Sequence, residues 1–333
     1  MHRSLDRRSF AVGLSALGVV GAAPRTFAQT PSSSPVSGEW TWTDDRGITV
    51  TLPQRPTNII AQTTAAVSLD GFGVPISGHF GSEDPTQSVA FPDANPIDIS
   101  DWVFLGPWGE FNIEAAVSTG AELYIDLYRG EGDDLWGLND PAIRETLGEL
   151  VPSIGVSTFN ARPDQTITRF AELAQALGAD LSDETQAANR QAHLDAEAAF
   201  VAAVDAKPGL TVLGLTGGPA TNAWILNPEL LGDLQYFRSL GLEFIVPNNP
   251  DPAQLNLFET LSWEQLGRYE PDVVIYDARS DPPVDDPVWK ALSAVQAGQV
   301  GTWYGGSLAY TWPDLTRYLE SLTETIATAE VLR

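Results

Sequence analysis

The chain of 333 residues contains no cysteine. Disulfides, thiolate metal sites and cysteine nucleophiles are therefore excluded, as is a lipid-modified N-terminal cysteine. Basic charge is scarce: 18 lysines and arginines stand against 44 aspartates and glutamates, a formal charge of −26. Only Lys207 and Lys290 are lysines. Phosphate backbones and anionic membranes call for a concentrated basic surface, so nucleic acid is excluded as a partner. An acidic, lysine-poor surface stays soluble through charge repulsion, which fits an ordinary acidic secreted protein and a high-salt environment equally well. Histidine is limited to His2, His79 and His193, too far apart in sequence to argue for direct metal ligation. The Gly-x-Ser-x-Gly elbow and the phosphate loop are absent, and the glycine-rich stretch 214–219 lacks the Gly-x-Gly-x-x-Gly spacing.

What is present begins with an address. Arg3, Arg7 and Arg8 precede an apolar run over 10–23 that is shorter than the roughly 20 residues a membrane span needs. Residues 1–28 read as a signal peptide, with Arg7-Arg8-Ser9-Phe10 in the twin-arginine pattern and Thr26-Phe27-Ala28 before the cleavage point. Its removal takes four arginines and Asp6 from the 18 basic and 44 acidic side chains, leaving a formal −29. The protein is thus expected outside the cytoplasm, in the periplasmic or extracytoplasmic space, with no membrane insertion after cleavage. Residues 29–38 are rich in serine and proline and read as a flexible tether.

A hydrophobic content of 43% suits a packed globular protein, and strand-like and helix-like runs alternate beyond the tether. Strands are predicted over 48–52, 57–61, 74–80, 102–105 and 123–127, then 211–215, 243–246, 273–276 and 300–304. Asp140-Pro141 predicts a helix start, as N-cap and first helical residue. Another helix is predicted over 164–177. The longest covers 182–206, with Ser182 as its cap, Ala188, Ala192, Ala199 and Ala203 near one face, and Lys207-Pro208-Gly209 as its stop. This pattern divides the chain into an N-terminal α/β lobe (39–180), an interlobe helix (181–207) and a C-terminal α/β lobe (208–333). The halves share a detail. Asn112-Ile113-Glu114 and Ser262-Trp263-Glu264-Gln265 each open a helix, and each glutamate stands eleven residues before a strand isoleucine, Ile125 or Ile275.

The order of several segments resembles that of periplasmic binding proteins for ferric siderophores, cobalamin and haem. They are Asp45-Arg46-Gly47-Ile48-Thr49-Val50-Thr51-Leu52-Pro53 with Arg55-Pro56 and Ile59-Ile60; Gly71-Phe72-Gly73-Val74-Pro75-Ile76; Leu105-Gly106 followed by Asn112-Ile113-Glu114; and 289–300, from Trp289-Lys290-Ala291-Leu292 to Gly298-Gln299-Val300. The second half keeps Glu270-Pro271-Asp272 where the first has Thr119-Gly120-Ala121-Glu122. The resemblance implies two Rossmann-like lobes joined by a single long helix. It also implies a monomer that delivers cargo to an ABC permease and its ATPase, with Glu114 and Glu264 meeting permease arginines, and no catalytic residue, resident metal or cofactor. No arginine stands in 106–111, where some relatives grip anionic chelates. The expected cargo is accordingly a ferric siderophore of hydroxamate or carboxylate type, with cobalamin or haem as the alternative. An exported hydrolase is the rival of another class.

Open α/β folds bind ligands beyond the carboxyl ends of their strands. The candidates there are His79, Trp108, Tyr128 and Arg129 in the first lobe, and Trp224, Arg279, Trp303, Tyr304 and Tyr310 in the second. Aromatic walls suit a bulky chelate, and the arginines suit its oxygens.

Overall fold

The computed structural model describes residues 38–94, 97–128, 130, 135–138, 140–159, 161–218, 220 and 222–332. The proposed export signal, nearly all of the tether, and Arg129 lie outside them.

Alternation of Trp40 and Trp42 with threonine gives a two-stranded hairpin, β1 (Trp40–Thr43) and β2 (Thr49–Leu52), of which only the second strand is predicted by sequence. The Asp44 carboxylate closes its turn by accepting from the backbone N–H of Arg46 (2.9 Å) and Ile48 (3.0 Å). Arg46 pairs with Asp44 at 2.6 Å and reaches the Ser153 carbonyl at 2.7 Å, which fixes the hairpin to the first lobe.

That lobe is built from β3 (Ile59–Gln62), α1 (Thr63–Asp70), β4 (Gly78–Gly81), β5 (Val103–Pro107), α2 (Ile113–Ser118), β6 (Leu123–Tyr128), α3 (Pro141–Leu150), β7 (Ser153–Ser157) and α4 (Pro163–Ala176). The strands form one parallel sheet in the order β5-β4-β3-β6-β7. Helices cover both faces, so β3 is buried throughout and β6 up to its last residue. The chain leaves β3 toward one edge and returns to β6 on its other side. The carboxyl ends of β3 and β6 therefore flank a topological switch point.

α5 (Glu184–Asp205) joins the lobes. At 1.5 Å per residue it spans about 33 Å. Two sequence expectations for it are corrected. Asp183, not Ser182, is the N-cap and accepts from Gln186 N–H at 2.8 Å; Ser182 instead donates to Asp180 at 2.6 Å. The buried stripe is His193, Ala196 and Phe200, while Ala188, Ala192 and Ala199 face solvent. Bulk rather than alanine spacing decides which face packs.

The second lobe comprises β8 (Thr211–Gly217), β9 (Ala223–Leu226), α6 (Gly232–Ser239), β10 (Glu243–Phe244), β11 (Phe258–Leu261), β12 (Val273–Asp277), α7 (Pro287–Ala291), α8 (Ser293–Gln296), β13 (Val300–Trp303) and α9 (Trp312–Thr328). Its sheet runs β11-β9-β8-β12-β13, with β10 also paired to β8. β8, β10, β12 and β13 are mutually parallel, whereas β9 and β11 add an antiparallel edge. The Ser262–Gln265 capping box forms as the sequence implies, but it opens a 3-10 turn over Trp263–Arg268.

One hydrophobic core runs through both lobes, uniting Phe170 of α4, Phe200 of α5, Phe237 of α6 and Tyr318 of α9. Rings of Phe200 and Phe237 lie 5.5 Å apart, and those of Phe237 and Tyr318 4.8 Å apart. The segment 304–311 extends from the second lobe into the first. There Tyr310 stacks on Phe170 at 5.9 Å and donates its backbone N–H to Ser68 Oγ at 2.9 Å. In return, the loop after β4 sends the Ala90 N–H to the Ser307 carbonyl (2.8 Å) and Phe91 against Tyr304 (4.6 Å). The described residues form a single compact unit. The architecture is two α/β lobes joined by one long helix. Among the described residues no helix is long and apolar enough to cross a membrane.

Candidate functional site

A cleft of about 490 Å3 opens where the carboxyl ends of both sheets face each other. Its first-lobe wall begins at the switch point, with Gln62 ending β3 and Thr63 and Thr64 starting α1. Gln62 caps that helix, its side chain accepting from Ala65 N–H at 3.1 Å. Thr63 Oγ1 accepts from Ser82 N–H (3.0 Å) and donates to the Phe80 carbonyl (2.9 Å), which joins α1 to the end of β4. Gln87 and Ser88 follow, and Trp108 and Trp136 stand at the rim, 50% and 43% exposed. The second lobe contributes Arg279 after β12 and Gly306 and Ser307 after β13.

Each rim tryptophan is placed by its turn. Near the end of β5, Gly106 turns at φ +112°, where a Cβ would collide with the Glu110 carbonyl. The Trp108 ring then lies edge-on to Phe80 at 5.8 Å, over Gly81. The segment carrying Trp136 is held by Asp126. This buried carboxylate accepts from Tyr124 OH (2.7 Å), Leu127 N–H (2.7 Å), Gly137 N–H (3.1 Å) and Leu138 N–H (3.3 Å). Burial raises its pKa to about 6 against the lowering effect of those donors.

Arg279 is braced from behind. Its backbone N–H and Nε donate to Asp277 Oδ1 at 3.0 and 2.9 Å, and Nη2 donates to Oδ2 at 2.7 Å. The guanidinium lies 5.5 Å from the Trp303 ring centroid. Trp303 is itself fixed by donating Nε1–H to the buried Asp233 at 2.6 Å, a carboxylate that also accepts from Tyr318 OH at 3.1 Å. Burial raises the Asp233 pKa.

Of the residues nominated from sequence, Trp108 and Arg279 line the cleft. Others are corrected by their packing. His79 lies inside β4, 2% exposed, between the rings of Trp102 and Phe104, and burial lowers its pKa. The strand runs to Gly81, so a residue expected beyond its end sits within it. Tyr310 is held between the lobes by Phe170, Tyr304 packs on Phe91 and Tyr318, and Trp303 is the buried support of Arg279. Trp224 lies in β9, paired with Thr216 and Thr260, because the expected loop is an antiparallel hairpin. Tyr128 ends β6 half-buried and does not reach the cleft wall. Glu114 and Glu264 are both exposed in first turns, of α2 and of the 3-10 turn respectively. Sequence reasoning missed Gln62, Thr63, Thr64, Gln87, Ser88, Trp136 and Ser307. The switch point marks the first three once strand order is known, and nothing local marks the others.

A second depression of about 320 Å3, between Pro53, Ala121, Leu150 and Pro152, lies at the amino ends of β6 and β7, the wrong side for such a ligand site. Among the described residues no group of three histidines or carboxylates is placed to hold a metal ion.

No family model matches the chain. Among curated proteins, the Fe(3+)-citrate-binding protein YfmC of Bacillus subtilis is 27% identical over 207 residues, 60% of this chain. That match spans 59% of YfmC, under two thirds of its length. The solved structure of DesE, a ferric-siderophore receptor protein from Streptomyces coelicolor, is 33% identical with a TM-score of 0.78, covering 87% of this chain and 99% of DesE. A siderophore periplasmic binding protein from the fuscachelin gene cluster of Thermobifida fusca shares the fold at 21% identity and a TM-score of 0.60, over 82% of this chain and 97% of that one. With DesE matched over nearly its full length at this identity, the chain belongs to the family of ferric-siderophore receptor proteins, the periplasmic binding proteins for iron chelates.

Proposed function

We propose that the protein captures a ferric siderophore of hydroxamate or carboxylate type in the interlobe cleft and delivers it, chemically unchanged, to the permease of an ABC importer. The observation that carries this reading is the cleft at the carboxyl ends of both sheets, with two exposed tryptophans on one wall and an arginine on the other. Indole faces offer apolar area to a bulky chelate, and neutral amide and hydroxyl groups at Thr64, Gln87 and Ser88 offer hydrogen bonds to its periphery. The relatives support the cargo class, since DesE is a ferric-siderophore receptor and YfmC binds ferric citrate. The chelate brings its own iron ligands. In this reading residues 1–28 direct twin-arginine export, 29–38 tether the mature protein, and the lobes 39–180 and 208–333, joined by 181–207, act as a monomer.

Glu114 and Glu264 dock on the permease. Their exposure and their equivalent positions in the two lobes suit a pair of arginines reading both lobes at once. The test is a titration of the mature protein with ferric trihydroxamates, ferric citrate, cobalamin and haemin, followed by tryptophan fluorescence. Saturable quenching by a ferric hydroxamate or carboxylate chelate is expected; binding of cobalamin or haemin alone would overturn the cargo. Replacing both glutamates with alanine should stop uptake while leaving chelate affinity intact.

A further inference from the structure

We propose that Asp277 sets the charge selectivity of the cleft: by neutralising Arg279 it makes the site favour chelates with little or no negative charge over polyanionic ones. The inference rests on the cleft being the chelate site. Arg279 is the only charged side chain among the described residues that line it. It does not stand there as a bare cation. Two guanidinium hydrogen bonds and one backbone hydrogen bond, none longer than 3.0 Å, tie it to the Asp277 carboxylate, which is 4% exposed at the end of β12. Thr216 Oγ1 adds a fourth donor to that carboxylate at 2.9 Å.

The geometry keeps the pair intact when a ligand enters. The Trp303 ring lies beside the guanidinium, and Gly306 lies so close that any Cβ there would collide with it. Pulling Arg279 toward a ligand would strand a buried carboxylate without its partner, which is strongly unfavourable. Burial acts to raise the Asp277 pKa, but the Arg279 hydrogen bonds outweigh it and hold the carboxyl below its ordinary value. The acid is thus ionised at neutral pH and the pair carries almost no net charge. Its cleft-facing N–H groups donate hydrogen bonds to a neutral chelate without an attractive field for a polyanion. A polyanion, in contrast, meets the field of the carboxylate immediately behind the donors.

The test measures the ratio of affinities for two probes, a neutral ferric trihydroxamate and anionic ferric citrate, on the mature protein. The wild type is expected to favour the hydroxamate. Asp277→Asn keeps shape and removes the charge, and should shift the ratio about tenfold toward ferric citrate, a gain that shrinks as salt is added. Arg279→Gln leaves Asp277 uncompensated and should shift the ratio about tenfold the other way. Because Arg279 is half-exposed, this variant reads out the same pair should the asparagine variant not fold. Asp277→Glu should restore the wild-type order of preference. A wild type that favours ferric citrate, or variants that leave the ratio unchanged, overturn the proposal while ferric-chelate binding stands. A wild type that binds neither these probes nor any other ferric chelate overturns the proposed function and this inference together.

Discussion

At the residue scale, the cleft depends on side chains that a ligand never touches. Asp126 is the clearest case. Replacing it with alanine strands Tyr124 OH and the Gly137 and Leu138 N–H groups, each at about 1–3 kcal/mol when buried. Urea unfolding of Asp126→Ala should show a loss of that order or greater, and chelate affinity should fall because the turn presenting Trp136 is released. Trp108 is held by its ring contact with Phe80, by packing over Gly81 and by its backbone hydrogen bond to the Gly81 carbonyl (3.2 Å), and half its surface is exposed. Trp108→Ala should weaken chelate binding by about 1–3 kcal/mol, read by titration, while leaving the melting temperature nearly unchanged. If both properties drop together, Trp108 is a packing residue and not a contact.

At the element scale, α5 is stabilised by three buried side chains and one cap. Phe200→Ala should cost about 3–5 kcal/mol in urea unfolding, because its ring sits in the core common to both lobes. Asp183→Ala should cost about 0.5–2 kcal/mol, whereas Ser182→Ala, at the residue first expected to cap, should cost less. The length of this helix was legible from the sequence because Asp183 and Lys207-Pro208-Gly209 punctuate it. The parallel strands were legible where valine, isoleucine and leucine run together, as in 123–127 and 273–276. Less legible were β1, β7, β9 and β11, strands of only four or five residues, too short to display a clear period. The same limit governed the site. Trp108 and Arg279 stand just beyond strands, where sequence marks them, whereas Trp136 owes its place to Asp126, and Phe170 draws Tyr310 away from the cleft, contacts that only tertiary structure reveals.

At the scale of the whole molecule, acidity and the shared core set the behaviour. Burial, with the nearby charge of Asp98, raises Asp70 to about 6; burial raises Asp126 to about 6 and Asp314 to about 7. A carboxyl whose folded pKa exceeds its unfolded value contributes most stability when protonated. That contribution is full below the ordinary value of 3.8 and is lost as pH rises through about 6 to 7. Asp277 and Glu259 are shifted downward, so their contribution is present above the ordinary carboxylate range and is lost in acid. The raised carboxyls should therefore lift the melting temperature as pH falls from about 8 toward about 6.5, where protonation of the buried His79 and His193, whose pKa values burial lowers, begins to oppose them, and it should drop below about pH 4. Screening of the acidic excess, a formal −26 over the whole chain, should raise it further as salt is added at pH 8, and a melting temperature insensitive to both variables would contradict this account. The core that continues beneath the cleft, with Tyr310 seated against Phe170, limits how far the lobes separate. Small-angle scattering of free and chelate-loaded protein should give radii of gyration within about 1 Å, far from the change expected of a freely hinged pair.

The interlocked segment 304–311 also bears on how such receptors can be recombined. A chimera joining the first lobe of this chain to the second lobe of a relative would inherit a foreign tongue in the socket formed by Ser68, Phe170 and Ala90. Its success should depend less on where the splice falls in α5 than on whether those eight residues travel with their socket.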